Sequence, residues 1–131
     1  MDEETRTAVG RWCIKADHDY KTAKLLLVEG PELTDNICFH AQQAAEKYLK
    51  AFLVYSGLHV EKIHYLPRLI ELCSKADPQF HDLIEDAREI TDYAASGRYP
   101  DGWEEIPLSE AKEAVQKSEK IMAFVKAKIG F

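Results

Sequence analysis

Five histidines are the first residues in this chain to test for chemistry: His18, His40, His59, His64 and His81. They form no HExxH, and none pairs with a cysteine at the spacing of a zinc site. His59 and His64 lie five apart beside a turn, which is poor ligand geometry, so neither a metal nor a cofactor is expected. Asp17 and Asp19 flank His18, but neighbours one apart point to different sides of a helix. Asp19 is expected to be solvent-facing or ion-paired. There is no glycine-rich phosphate loop, no GxSxG and no evident Cys/His dyad. Two features remain. One is a polar stripe, His40, Gln43, Lys47 and Lys50, spaced 3, 4 and 3 residues apart. Its default reading is a solvated helix face, and its alternative is one wall of a site. The other is the stretch RYPDGWEEIPL, with Arg98, Tyr99, Asp101 and Trp103 close together. An arginine fork can hold phosphate and a tyrosine can stack a base. The plainer reading is that Tyr99 and Pro100 pack a loop while Arg98 pairs with an acid.

These residues need elements to hold them. The central one is the run from Asn36 to Gly57, with Thr34, Asp35 and Asn36 as candidate N-caps and Gly57 as the stop. It contains no internal Pro or Gly and would span roughly 30 Å. Ile37, Ala41, Ala44, Tyr48, Ala51, Phe52 and Tyr55 recur at helical spacing, and so do Cys38, Ala45, Leu49 and Leu53. A helix apolar over so much of its circumference has neighbours on several sides.

A first helix is expected over residues 3–29, with Val9, Trp12, Cys13, Ala16, Tyr20, Ala23, Leu26 and Leu27 on its stripe and Gly30-Pro31 as its end. The short connection makes the first two helices an antiparallel hairpin. Leu66, Leu69, Ile70 and Cys73 support a shorter helix, with Pro67 in its first turn. Asp77-Pro78 opens another helix that runs to Gly97. Ser109 is the expected cap of the last. Alternating β-branched runs and Asn-Gly turns are absent. The fold class is therefore all-α, an up-and-down bundle of four main helices plus a short additional one, in a single domain over 1–131.

Composition narrows the function classes. Of the 131 residues, 46% are hydrophobic and 31% charged, an ordinary globular balance. The net charge of −6 argues against broad non-specific nucleic-acid binding but leaves room for a local basic cleft. Cys13, Cys38 and Cys73 lie far apart on apolar stripes and read as buried thiols in a reducing cytoplasm. The acidic start MDEETRTAVG is no secretory signal, and no apolar run approaches a membrane span.

At this point the residues resemble a known family. The pattern comprises Trp12, Ala16, Asp19 and Ala23, the run FHAQQAAEKYLKA from Phe39 to Ala51, then Gly57, His64 and Leu66, then Arg98-Tyr99-Pro100-Asp101. It resembles the HEPN domain (higher eukaryotes and prokaryotes nucleotide-binding) over nearly the whole chain. The resemblance implies an all-α bundle that forms a homodimer and partners a minimal nucleotidyltransferase in a two-component, toxin–antitoxin-like system. It also implies a nucleotide or RNA ligand. Many members are metal-independent ribonucleases with an Arg-x(4–6)-His motif near the last helix. Here Arg98 is followed by Trp103, Glu104 and Glu105 where the histidine belongs, and no histidine occurs after His81. Arg11 and His18 match Arg-x(6)-His, but in the first helix, where the family does not place it. The expected function is nucleotide or RNA binding. Arg98 and Lys47 would hold phosphate, Tyr99 would stack or hydrogen-bond, and Asp19 would orient a basic group. Asp101, Gln43, His40 and His64 complete the candidates. The alternatives are a ribonuclease with a relocated histidine, His40 or His64, and a non-enzymatic dimerisation module.

Overall fold

The computed structural model describes residues 1–95 and 105–131. Arg98, Tyr99, Asp101 and Trp103, and the expected helix stop at Gly97, lie outside the described residues. Among those described there are five α-helices and no strand: α1 Glu3–Glu29, α2 Thr34–Tyr55, α3 Leu66–Ser74, α4 Ile84–Ala95 and α5 Leu108–Ile129.

Helix α1 starts as its sequence requires. Asp2 accepts a hydrogen bond from the Thr5 amide at 2.7 Å, with Glu3 and Glu4 in the first turn. It ends at Gly30, whose amide donates to the Leu26 carbonyl. Helix α2 begins earlier than expected. Its cap position is Leu33, with no side-chain cap, so Thr34, Asp35 and Asn36 lie inside the first turn. There Asp35 meets the positive end of the helix dipole. The stop is a Schellman turn. Gly57 has φ +72°, its amide donates to the Val54 carbonyl, and the Leu58 amide donates to the Leu53 carbonyl.

Two further boundaries differ from expectation. Asp77 does cap the segment after α3, accepting from the Gln79 amide at 3.0 Å, but Pro78–Leu83 is a 3-10 helix and α4 starts only at Ile84. Ser109 is not the cap of α5. The helix starts at Leu108 behind Pro107, whose fixed φ suits a helix entrance, and no side chain caps it.

Helix α2 is the hub. It packs against α1, α3, α4 and α5, which is why Ala41, Ala44, Ala45 and Ala51 are all buried. One core cluster gathers around its C-terminal half, with Tyr48, Leu49 and Phe52 against Val9, Leu66, Ile70, Phe80, Ile90 and Ile121. The Phe52 and Phe80 rings stand 4.2 Å apart between centroids. A second cluster surrounds its N-terminal half, where Ile37, Cys38 and Ala41 meet Ala23, Ala94, Ile106, Ala111 and Val115. Each fully buried aliphatic side chain in these clusters contributes about 1.5–3 kcal/mol. Ser118 of α5 is buried too, and its hydroxyl donates to the Ala41 carbonyl at 2.7 Å, fixing the register of α5 on α2. No helix among the described residues is long and apolar enough to cross a membrane.

Candidate functional site

The antiparallel α1–α2 hairpin brings Asp19 opposite two turns of α2. Its side chain is only 13% exposed and accepts from both sides. One carboxylate oxygen meets His40 Nδ1 at 2.9 Å, and the other takes the Lys47 ammonium. His40 and Lys47 are seven residues apart, two helical turns, so both reach one acid while Gln43 stands between them. Lys47 already balances the carboxylate charge. A carboxylate oxygen facing Nδ1 makes that nitrogen the N–H donor, which leaves Nε2 as the acceptor. Nε2 has no hydrogen-bond partner among the described residues. The ring is further fixed by the Phe39 edge, 5.2 Å away between centroids. A histidine oriented through Nδ1 by a carboxylate is arranged to exchange a proton at Nε2.

A second carboxylate–lysine–histidine group lies on the adjoining face of α2. Glu46 is 3% exposed. It takes the Lys50 ammonium at 3.1 Å and His64 Nδ1 at 3.0 Å. The Lys50 ammonium also lies over the Trp12 ring, 5.7 Å from its centroid. The default reading of the stripe as a solvated face therefore fails at Lys50, which is 5% exposed and sealed between α1 and α2. His64 is pinned twice, through its ring and through its carbonyl, which accepts from Gln42 Nε2 at 3.4 Å. Its side chain nonetheless remains 73% exposed.

Farther along the same seam, the buried Tyr48 donates its hydroxyl to Asp17 at 2.6 Å, under the Lys126 ammonium. Burial, with the Asp17 carboxylate behind it, holds the Tyr48 phenol well above its ordinary range. Burial likewise pushes the Cys13 thiol up to about 11 and the Cys73 thiol to about 12, so these are packing residues rather than nucleophiles. All three cysteines are buried, and none is in a disulfide.

Of the residues singled out in the sequence, Asp19, His40, Gln43 and Lys47 come together, and His64, from the connection between α2 and α3, docks on the adjoining face of α2. Arg98, Tyr99 and Asp101 lie outside the described residues. Among the described residues no group of three His, Cys, Asp or Glu side chains is placed to hold a metal. Sequence reasoning missed Glu46. Its i,i+4 relation to Lys50 is a local signal, but its partner His64 lies eighteen residues away and leaves no local trace. An open recess of about 220 Å³, lined by Leu53, Leu58, His59, Glu61, Leu72 and Lys75, sits at the far end of α2 and is not part of this arrangement.

Residues 9–128 match the HEPN domain family. The chain is 33% identical to TT1696 from Thermus thermophilus, whose crystal structure superposes with a TM-score of 0.71 over 92% of this chain and 97% of that one. It is 22% identical to ST0689, described as an archaeal HEPN homologue, with the same TM-score and coverage. The second likeness speaks to the fold alone. No curated protein matches the chain.

Proposed function

The chain belongs to the HEPN domain family, a family of nucleotide-binding and RNase-type domains, and from that premise we propose that it binds a nucleotide or RNA on the polar side of α2. The observation that carries the reading is the Asp19 bridge. One acid from α1 fixes both His40 and Lys47, while the Gln43 amide between them has no hydrogen bond among the described residues. No buried side-chain polar atom among them lacks a partner, so that amide opens to solvent. Arg98 would add a cation and Tyr99 a stacking ring, with Asp101 two residues further along the sequence. Lys47 is already balanced by Asp19, so net attraction for phosphate must come largely from Arg98.

The partner we assign is a minimal nucleotidyltransferase, on the resemblance of the run from Phe39 to Ala51. We also assign a homodimer. Its support on the surface is Ile14, Leu25 and Val28 of α1, which are 55%, 54% and 75% exposed. A second reading, metal-independent RNA cleavage, is favoured by one observation: His40 has the carboxylate orienter of a general base.

The test is titration of ATP and of a labelled RNA into the wild type, Arg98→Ala and His40→Ala. Loss of affinity in both variants, with unchanged melting temperature, supports the site. Undiminished affinity in both removes it. Incubation of the same proteins with RNA in EDTA separates the second reading, which requires cleavage that His40→Ala abolishes.

A further inference from the structure

The connection from α2 to α3 builds a second surface, away from His40. The Leu58 amide donates to the Leu53 carbonyl at 2.9 Å, and this turn sets the Leu58 side chain beside Leu53. With Leu72 of α3 they line the apolar part of the recess of about 220 Å³ at the far end of α2. The rest of its lining is polar: His59 and Glu61 from the connection, and Lys75 at the end of α3. Elsewhere on the surface neighbouring acids and bases pair, as Arg68 does with Glu71, Lys120 with Asp86 and Lys128 with Asp77. Glu61 and Lys75 share one recess and do not meet. Neither they nor His59 has a side-chain partner among the described residues.

The helix ends sharpen this division of charge. Helix α2 finishes beside the recess with no basic residue in its last turn, so its carbonyl end and Glu61 both favour a cation. The carbonyl end of α3 already has Lys75 at its cap position, and that ammonium remains open to an anion. The volume is below the roughly 300–1,000 Å³ of sites for drug-sized ligands and cofactors, which excludes a nucleotide and suits a small metabolite. We propose that the recess binds a free aliphatic α-amino acid of about leucine's size. Its side chain lies on Leu53, Leu58 and Leu72. Its ammonium faces Glu61 and the end of α2, and its carboxylate faces Lys75, so each charge that leaves water gains a partner. His59 is a further hydrogen-bonding group on the rim. The site is separate from the polar side of α2, and neither reading depends on the other.

The experiment is an NMR titration of the full chain, with isotope-labelled leucine methyl groups, against unlabelled L-leucine. Saturable shifts of the Leu53, Leu58 and Leu72 methyls are expected. The analogue 4-methylpentanoate lacks the ammonium and leucinamide lacks the carboxylate. Each should bind about tenfold more weakly, the scale of one charge-assisted hydrogen bond. L-alanine should also bind at least about tenfold more weakly, because it gives up most of the apolar contact. Glu61→Gln and Lys75→Gln should each weaken leucine about tenfold and leave the melting temperature unchanged, since neither side chain has a partner to lose. Lys75→Gln should leave the affinity for leucinamide as it was. No saturable shift with leucine overturns the proposal, as does equal binding of 4-methylpentanoate or leucinamide, or full affinity for leucine in either variant. Shifts of the same methyls on adding ATP would put the nucleotide in this recess and overturn it too.

Discussion

Breaking the buried Glu46–Lys50 pair is the sharpest test of how the α1–α2 seam is held. The two side chains are 4% and 6% exposed, with oxygen and nitrogen 3.1 Å apart. At an effective dielectric of about 20, that separation corresponds to about 5 kcal/mol of attraction, set against a desolvation cost of several kcal/mol per ion. The net value of the intact pair is therefore small, but removal of one member leaves the other charge buried. Glu46→Gln strands the Lys50 ammonium against the Trp12 ring, and Lys50→Met strands the Glu46 carboxylate with His64. Each single change is expected to cost about 3–5 kcal/mol. For a domain of this size that is a fall in Tm of about 12–20 °C. The double variant removes both charges and is expected to cost about 1–2 kcal/mol, far below the sum of the singles. Urea unfolding of all four proteins, followed by circular dichroism, gives the coupling directly. Additive single costs, or singles below about 1 kcal/mol, would refute the idea that these charges are sealed together.

Three other expectations follow from the same geometry. Asp19→Asn removes the shared anion of His40 and Lys47 and should lower stability in urea unfolding by about 1.5–3 kcal/mol for the lost charge-assisted bonds, while the circular dichroism spectrum stays helical. Gly57→Ala meets no neighbouring atom yet forces a Cβ into the left-handed region, so it should cost about 1–2 kcal/mol in urea unfolding. In alkali, the Tyr20 phenol is pushed up to about 12, mainly by burial and then by its hydrogen bond to Glu119. Its folded value exceeds the unfolded one of about 10, so its stabilisation is full below pH 10 and is lost as pH rises towards 12. Ultraviolet difference titration should show Tyr20→Phe removing part of that loss.

The helices were legible because their signals are local. The alanines and aromatics of α2 announced a helix with several neighbours, and Gly57 announced its end. The helix starts were less legible. Thr34 and Ser109 carry capping side chains, yet Leu33 and Pro107 hold the cap positions, so both capping residues lie inside the first turn. The 3-10 turn at Pro78–Leu83 has the same cap signal as an α-helix, and only packing against α3 and α4 distinguishes it. In the site, the spacing of His40, Gln43 and Lys47 was readable, and Asp19, which comes from another helix, was named for the site only through the family resemblance. The burial of Lys50 was not readable at all, since its shield is Trp12 and the loop that carries His64.

The order of the chain has a consequence for synthesis. Every described residue of the site, from Asp19 to His64, lies in the first half of the chain, whereas α5 comes last. When residue 65 leaves the ribosome, every residue of the polar seam has been made, but the helix that covers the alanine-rich side of α2 has not. Ser118, which locks onto the Ala41 carbonyl, is then unmade. At typical elongation rates of about 5–20 residues per second, that side stays open for several seconds. During that interval a nascent chain is most exposed to pairing with a neighbour translated from the same message.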